Sequence, residues 1–124
     1  MKKKSIIFDQ CPIKATLDII TNKWSLLIIY ELSNRYNVEN AVPIRFKDLR
    51  DNLEGISQKM LTQTLRSLEE NGMIIRNIYP EVPPRVEYAL SKLGLSFIPY
   101  LESLEEWSQI NHQEIQEARQ RFNN

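Results

Sequence analysis

Apolar positions change their spacing several times along this chain, and each change marks a new element. After Cys11 and Pro12, Ile13, Leu17 and Ile20 recur at helical intervals, predicting a first helix over residues 12–20 with Pro12 at its first position. Thr21 and Asn22 are both suitable caps for a second helix from Lys23 to about Ser33. That helix is apolar on several sides (Trp24, Leu26, Leu27, Ile28, Ile29, Tyr30), so it is expected at the centre of the fold. Residues Asn34 to Val42 are polar and read as a loop, and Pro43-Ile44-Arg45-Phe46 suits a short edge strand. Phe46, Leu49 and Leu53 then predict a third helix, which Glu54-Gly55-Ile56 closes as a tight turn.

Ser57 caps a fourth helix that runs to Asn71, with Gly72 as its left-handed terminator. Two alternating runs, Ile74–Tyr79 and Arg85–Leu90, flank Pro80-Glu81-Val82-Pro83-Pro84 and predict a β-hairpin with a stiff tip. Ser91 caps a last helix carrying Leu93, Phe97, Leu101, Leu104 and Trp107, with apolar positions continuing to Ile115. Pro99 inside it is expected to kink the helix or divide it in two. The resulting order is helix, helix, short strand, helix, turn, helix, strand, tip, strand, long helix. It predicts a mainly α fold with a small β-hairpin wing, a winged helix-turn-helix. A single domain is expected over residues 1–124, with the turn and recognition helix at about 46–71 and the wing at about 74–90.

The fourth helix divides into two faces. Leu61, Leu65 and Leu68 form a narrow apolar stripe, while Lys59, Thr62, Gln63 and Arg66 share the opposite side. Lys and Arg can donate to guanine edges, Gln can pair with adenine through two bonds, and Thr offers a hydroxyl and a methyl. Ser57 and Gln58 add donors at the start of the helix, where backbone amides favour a phosphate. The wing adds Arg76 and Arg85 on either side of its tip, both able to meet a phosphate or the minor groove. Arg85 is the stronger candidate of the two, although Glu87 or another acid could hold it instead. Lys2-Lys3-Lys4 could serve as a phosphate-binding arm or be a frayed, solvated terminus. An amphipathic helix with a merely solvated polar face is the alternative, and the turn before it and the wing after it weigh against that.

Composition tempers this picture. The 124 residues carry 16 basic and 16 acidic side chains, without the basic excess that often marks nucleic-acid binders. The balance is uneven: residues 1–95 hold 14 Lys/Arg against 11 Asp/Glu, and residues 96–124 hold 2 against 5, leaving a mildly basic body. Cys11 is the single cysteine, so no intrachain disulfide is expected, and the basic start lacks the apolar run of a signal peptide. A cytoplasmic location is therefore expected. Catalysis finds little support: His112 is the only histidine, Ser57 has no candidate base, and the 3 glycines are isolated. No metal or cofactor is expected.

Four segments together resemble the HxlR-type family of bacterial regulators, a MarR-like group: Cys11-Pro12, Asn22-Lys23-Trp24, Gly55-Ile56-Ser57-Gln58-Lys59-Met60-Leu61-Thr62, and Tyr79 through Tyr88 across the wing. The match runs from about Cys11 to Trp107. The resemblance implies a cytoplasmic homodimer that binds an inverted repeat in double-stranded DNA near a promoter. Two departures stand out. Asn22 occupies a position where family members commonly have Gly, and Asn34–Pro43 lengthens a connection that is usually shorter.

Phe97, Leu101, Leu104, Trp107 and Ile110 would leave a large apolar patch on a lone chain unless the helix folds back on its own core. The resemblance implies a dimer through this helix (about 92–117) and the first (about 12–20). In similar regulators a cysteine at this point senses oxidants or electrophiles, making Cys11 a candidate redox-sensing thiol. Its position at a helix N-terminus near Lys14 favours the thiolate, Asp9 opposes it, and a small buried hydrophobe is the alternative. Two rival readings are a winged-helix protein-interaction module without DNA and an added small-molecule effector site near Trp24 or Trp107.

Overall fold

The computed structural model describes residues 11–35 and 41–124. The Lys2-Lys3-Lys4 segment, Asp9 and the middle of the Asn34–Pro43 connection lie outside the described residues. The chain forms helices α1 (Pro12–Ile20) and α2 (Lys23–Ser33), strand β1 (Ile44–Arg45), and helices α3 (Phe46–Asn52) and α4 (Gln58–Glu70). Strands β2 (Ile74–Tyr79) and β3 (Arg85–Leu90) follow, and then helix α5 (Lys92–Asn123).

Local chemistry accounts for most of these boundaries. Of the two possible caps before α2, Asn22 serves: its side-chain oxygen accepts from Trp24 N–H at 2.8 Å. Ser57 starts α4 by accepting from Met60 N–H at 3.0 Å. The helix ends in a Schellman arrangement, with Met73 N–H on the Leu68 carbonyl at 2.9 Å, Gly72 N–H on that of Glu69 at 3.0 Å, and Gly72 at φ +76°. Ser91 serves two elements at once. Its hydroxyl accepts from Gly94 N–H at 3.0 Å and donates to the Gly72 carbonyl at 2.5 Å, tying the start of α5 to the end of α4.

The sheet is antiparallel in the order β1-β3-β2. Ile44 lies opposite Tyr88, and Tyr88 opposite Arg76, so these three share one face. That face joins Ile28, Ile29 and Leu32 of α2, Leu49 of α3, and the Leu61/Leu65/Leu68 stripe of α4 in one core. The prediction that α2 is central holds, though Leu27 on its far side is exposed.

Of the two outcomes expected at Pro99, division is not seen: α5 is one helix across it. Elsewhere α5 departs from expectation. Leu101, expected in an exposed patch, is 5% exposed and belongs to the core with Ile98, because the near side of α5 packs on the domain body. Phe97 is half-buried against the same cluster. Among the described residues none after Leu101 is buried, so the distal part of this roughly 48 Å helix runs largely exposed. One distal anchor is the Tyr30 hydroxyl, which donates to Glu105 Oε1 at 3.1 Å. Among the described residues no helix is long and apolar enough to cross a membrane.

Candidate nucleic-acid interface

Helix α4 buries Leu61, Thr64, Leu65 and Leu68 and turns the rest outward. Thr64 falls on the buried side by helical spacing, and its hydroxyl is satisfied there by donating back to the Met60 carbonyl at 2.7 Å. Lys59, Gln63 and Arg66 are exposed, and Thr62 beside them is half-buried. Ser57 and Gln58 are exposed at the start of the helix. Ser57 Oγ accepts the Met60 amide and keeps its own proton for an outside acceptor. The residues expected to share a polar face therefore do so. Among the described residues neither Lys59 nor Arg66 has an ion-pair partner, so their charges face solvent.

The wing arginines are more constrained. Arg85 Nε lies 3.2 Å from Glu87 and an Nη lies 3.5 Å from Glu81, with the guanidinium 4.1 Å from the Tyr79 ring centre. Its side chain is 28% exposed. Arg76 has one acidic partner, Glu69 at the end of α4, at 3.5 Å, and is 41% exposed. Arg76, the weaker candidate from the sequence, is thus the more exposed of the two. Arg76 stands beside Tyr88, whose hydroxyl is pushed above its ordinary pKa chiefly by burial, against the opposing pull of the Arg76 charge.

Between the wing and the β1–α3 junction lies an open cleft of about 740 Å³. Its lining includes Arg76, Arg85 and two cations the sequence pattern did not single out, Arg45 and Lys47. A signal for them was present. In Ile44-Arg45-Phe46-Lys47 apolar and basic residues alternate, so inward Ile44 and Phe46 leave Arg45 and Lys47 facing out.

Cys11 sits half-exposed immediately before α1, and its side chain makes no capping bond. Lys14, expected to favour its thiolate, is paired with Asp18 at 3.1 Å. Helix α1 has no buried residue, and Ile13 on it is exposed. A shallow groove of about 170 Å³ separates α1 from α5 between Ile19, Ile20, Leu93 and Phe97. Further along α5, Leu104, Trp107 (57%) and Ile110 (72%) are exposed together. Trp24 packs partly against the core with Lys23 over its ring at 4.8 Å.

A helix-turn-helix backed by a β-hairpin, with a cationic outer face on its second helix, defines a winged-helix DNA-binding transcription regulator. The chain belongs to the HxlR-like helix-turn-helix family, whose model matches residues 19–116. The HTH-type transcriptional regulator YtfH of Escherichia coli (strain K12) is 36% identical over 115 residues, covering 93% of this chain and 86% of that protein. A structure from Porphyromonas gingivalis W83, described as a MarR-family regulator, superposes with a TM-score of 0.74 at 36% identity, covering 89% of this chain and 99% of that one. The redox regulator HypR in its reduced form superposes with a TM-score of 0.76 at 33% identity, covering 86% and 99%. These relatives are transcriptional regulators and not enzymes.

Proposed function

We propose that this protein is a cytoplasmic homodimer, each chain one HxlR-type domain, that binds an inverted-repeat operator through α4. The observation that carries the reading is the division of α4 into a buried leucine stripe and an outward Lys59/Thr62/Gln63/Arg66 face. Inserted in a major groove, that face reads base edges, while Ser57 and Gln58 meet the backbone at the helix start. Arg76 meets a phosphate once it exchanges Glu69 for it, and Arg85, which lines the same side of the wing, does so by exchanging Glu81 and Glu87.

Dimerisation through α1 and α5 supplies the second half-site. The exposed Leu104, Trp107 and Ile110 and the unburied α1 support it, and a two-fold pair would set the α4 helices about 34 Å apart, one turn of DNA. Cys11 is proposed as a redox- or electrophile-sensing thiol beside that interface. Its half-exposed position before α1 and the likeness to a redox regulator support the assignment.

The test is selection from sheared genomic DNA, followed by titration of the retained fragment. An inverted repeat with centres one turn apart is expected. A contact set of about 6–10 phosphates predicts a loss of roughly 10³–10⁵ in affinity between 50 and 200 mM salt. Retention of no sequence, with Lys59→Ala/Arg66→Ala behaving as wild type, would turn the reading toward a protein-binding module.

A further inference from the structure

The cations of the wing are already held in ion pairs, and among the described residues Arg45 and Lys47 across the cleft from it are in none. Arg85 is held between Glu81 and Glu87, and Arg76 is held by Glu69. The tip itself, Pro80 to Pro84, carries one ionisable group, Glu81, and that group faces Arg85. Val82 at its summit is fully exposed. A wing of this composition offers the minor groove no unpaired cation.

The opposite wall of the cleft differs. Ile44 is buried opposite Tyr88, and the Phe46 ring packs 6.5 Å from that of Tyr88, which fixes the backbone of the junction. Arg45 and Lys47 between and beyond them are exposed and line the cleft. Among the described residues neither has an ion-pair or hydrogen-bond partner. Asp48 also lines the cleft, and Glu87 lies opposite Arg45 across the β1–β3 ladder, where Arg85 Nε engages it at 3.2 Å. The floor between the walls is formed by Tyr88, Val86 and Arg76, on the sheet face that α4 packs against.

We infer that Arg45 and Lys47 grip the DNA backbone in this cleft, with the wing tip closing on the sugar edge through Val82 and its prolines rather than through charge. The inference rests on the reading of α4 as the helix that enters the groove. A guanidinium forks onto two phosphate oxygens and an ammonium acts as a point charge, so the pair can hold adjacent phosphates without reading bases. The contribution is therefore to affinity and register, equal for every sequence.

The experiment compares the salt dependence of binding for the full chain and its variants on the fragment that wild type retains, and on a scrambled duplex. Four cations are lost per dimer in Arg45→Gln/Lys47→Gln, so the slope of log K against log salt should shrink by about 3.6. The loss should be the same on both duplexes. The charge-exchanged Arg45→Lys/Lys47→Arg variant should keep the wild-type slope, separating charge from folding, as should Arg119→Gln near the end of α5. An unchanged slope in the double Gln variant, while Lys59→Gln/Arg66→Gln lowers it, would overturn the cleft and leave α4 standing. A shallow slope in the charge-exchanged variant would also overturn it. If wild type retains no DNA, both readings fall together.

Discussion

Gly94 offers a substitution whose sign depends on tertiary contact alone. It lies in the first turn of α5, and a Cβ there would overlap the Met73 carbonyl oxygen while reaching Leu90 Cδ2 at 3.0 Å and Leu90 Cβ at 3.3 Å. Judged as a helix residue, Gly94→Ala should stabilise the protein by about 0.8–1.0 kcal/mol. Judged by its surroundings, it forces α5 off the strand, and overpacking of this kind costs about 1–3 kcal/mol. The obstacle is backbone and cannot swing aside. The same Met73 carbonyl accepts the Ser91 amide at 3.0 Å, so a retreating α5 also strains that bond, worth about 1 kcal/mol. The balance is a net loss of about 2 kcal/mol, or roughly 8 °C in Tm for a domain of this size. Urea and thermal unfolding at one fixed protein concentration measure it, since association would otherwise shift the midpoint. A variant as stable as wild type or more so would refute the close approach of α5 to the end of α4.

Three further expectations follow from named contacts. Leu104→Glu/Trp107→Glu places charges on the exposed stripe of α5 and should convert a dimer to monomers in sedimentation without lowering helix content; an unaltered dimer mass would place the interface elsewhere. Electrophile treatment is expected to weaken operator binding by the wild type and to spare Cys11→Ser, and equal sensitivity of the two would remove Cys11 as the sensor. The hydrogen bond to Glu105, followed by the nearby carboxylate charge, holds the Tyr30 hydroxyl above its ordinary pKa of 10.0. Because the folded value is raised, this contribution to stability is present below about pH 10 and is lost as pH climbs through the folded pKa. Glu105→Ala should return Tyr30 toward its ordinary titration in an ultraviolet tyrosinate assay read against Tyr30→Phe, and an unmoved midpoint would disprove the coupling.

The elements of this protein are legible because their signals are local. Ser57 and Ser91 cap the helices they precede, Gly72 ends α4, and the alternating runs on either side of Pro80–Pro84 become β2 and β3 with the expected limits. The two faces of α4 follow from helical spacing, which depends on neighbours three and four residues away. Pairing and burial over long separations are not written in such spacing. Leu101 and Leu104 are both apolar residues of one helix, yet the first packs into the core and the second remains exposed. The pairing of Arg85 with its near neighbours Glu81 and Glu87 was open to a local reading, whereas Arg76 met Glu69 only once α4 packed on the sheet. Arg45 and Lys47 gained significance when the wing folded across from them to form a cleft. Tyr30 and Glu105, 75 residues apart, meet only when α5 lies across α2. Periodicity reports which side of a helix is apolar, whereas the distance between two side chains on different elements exists only after those elements pack.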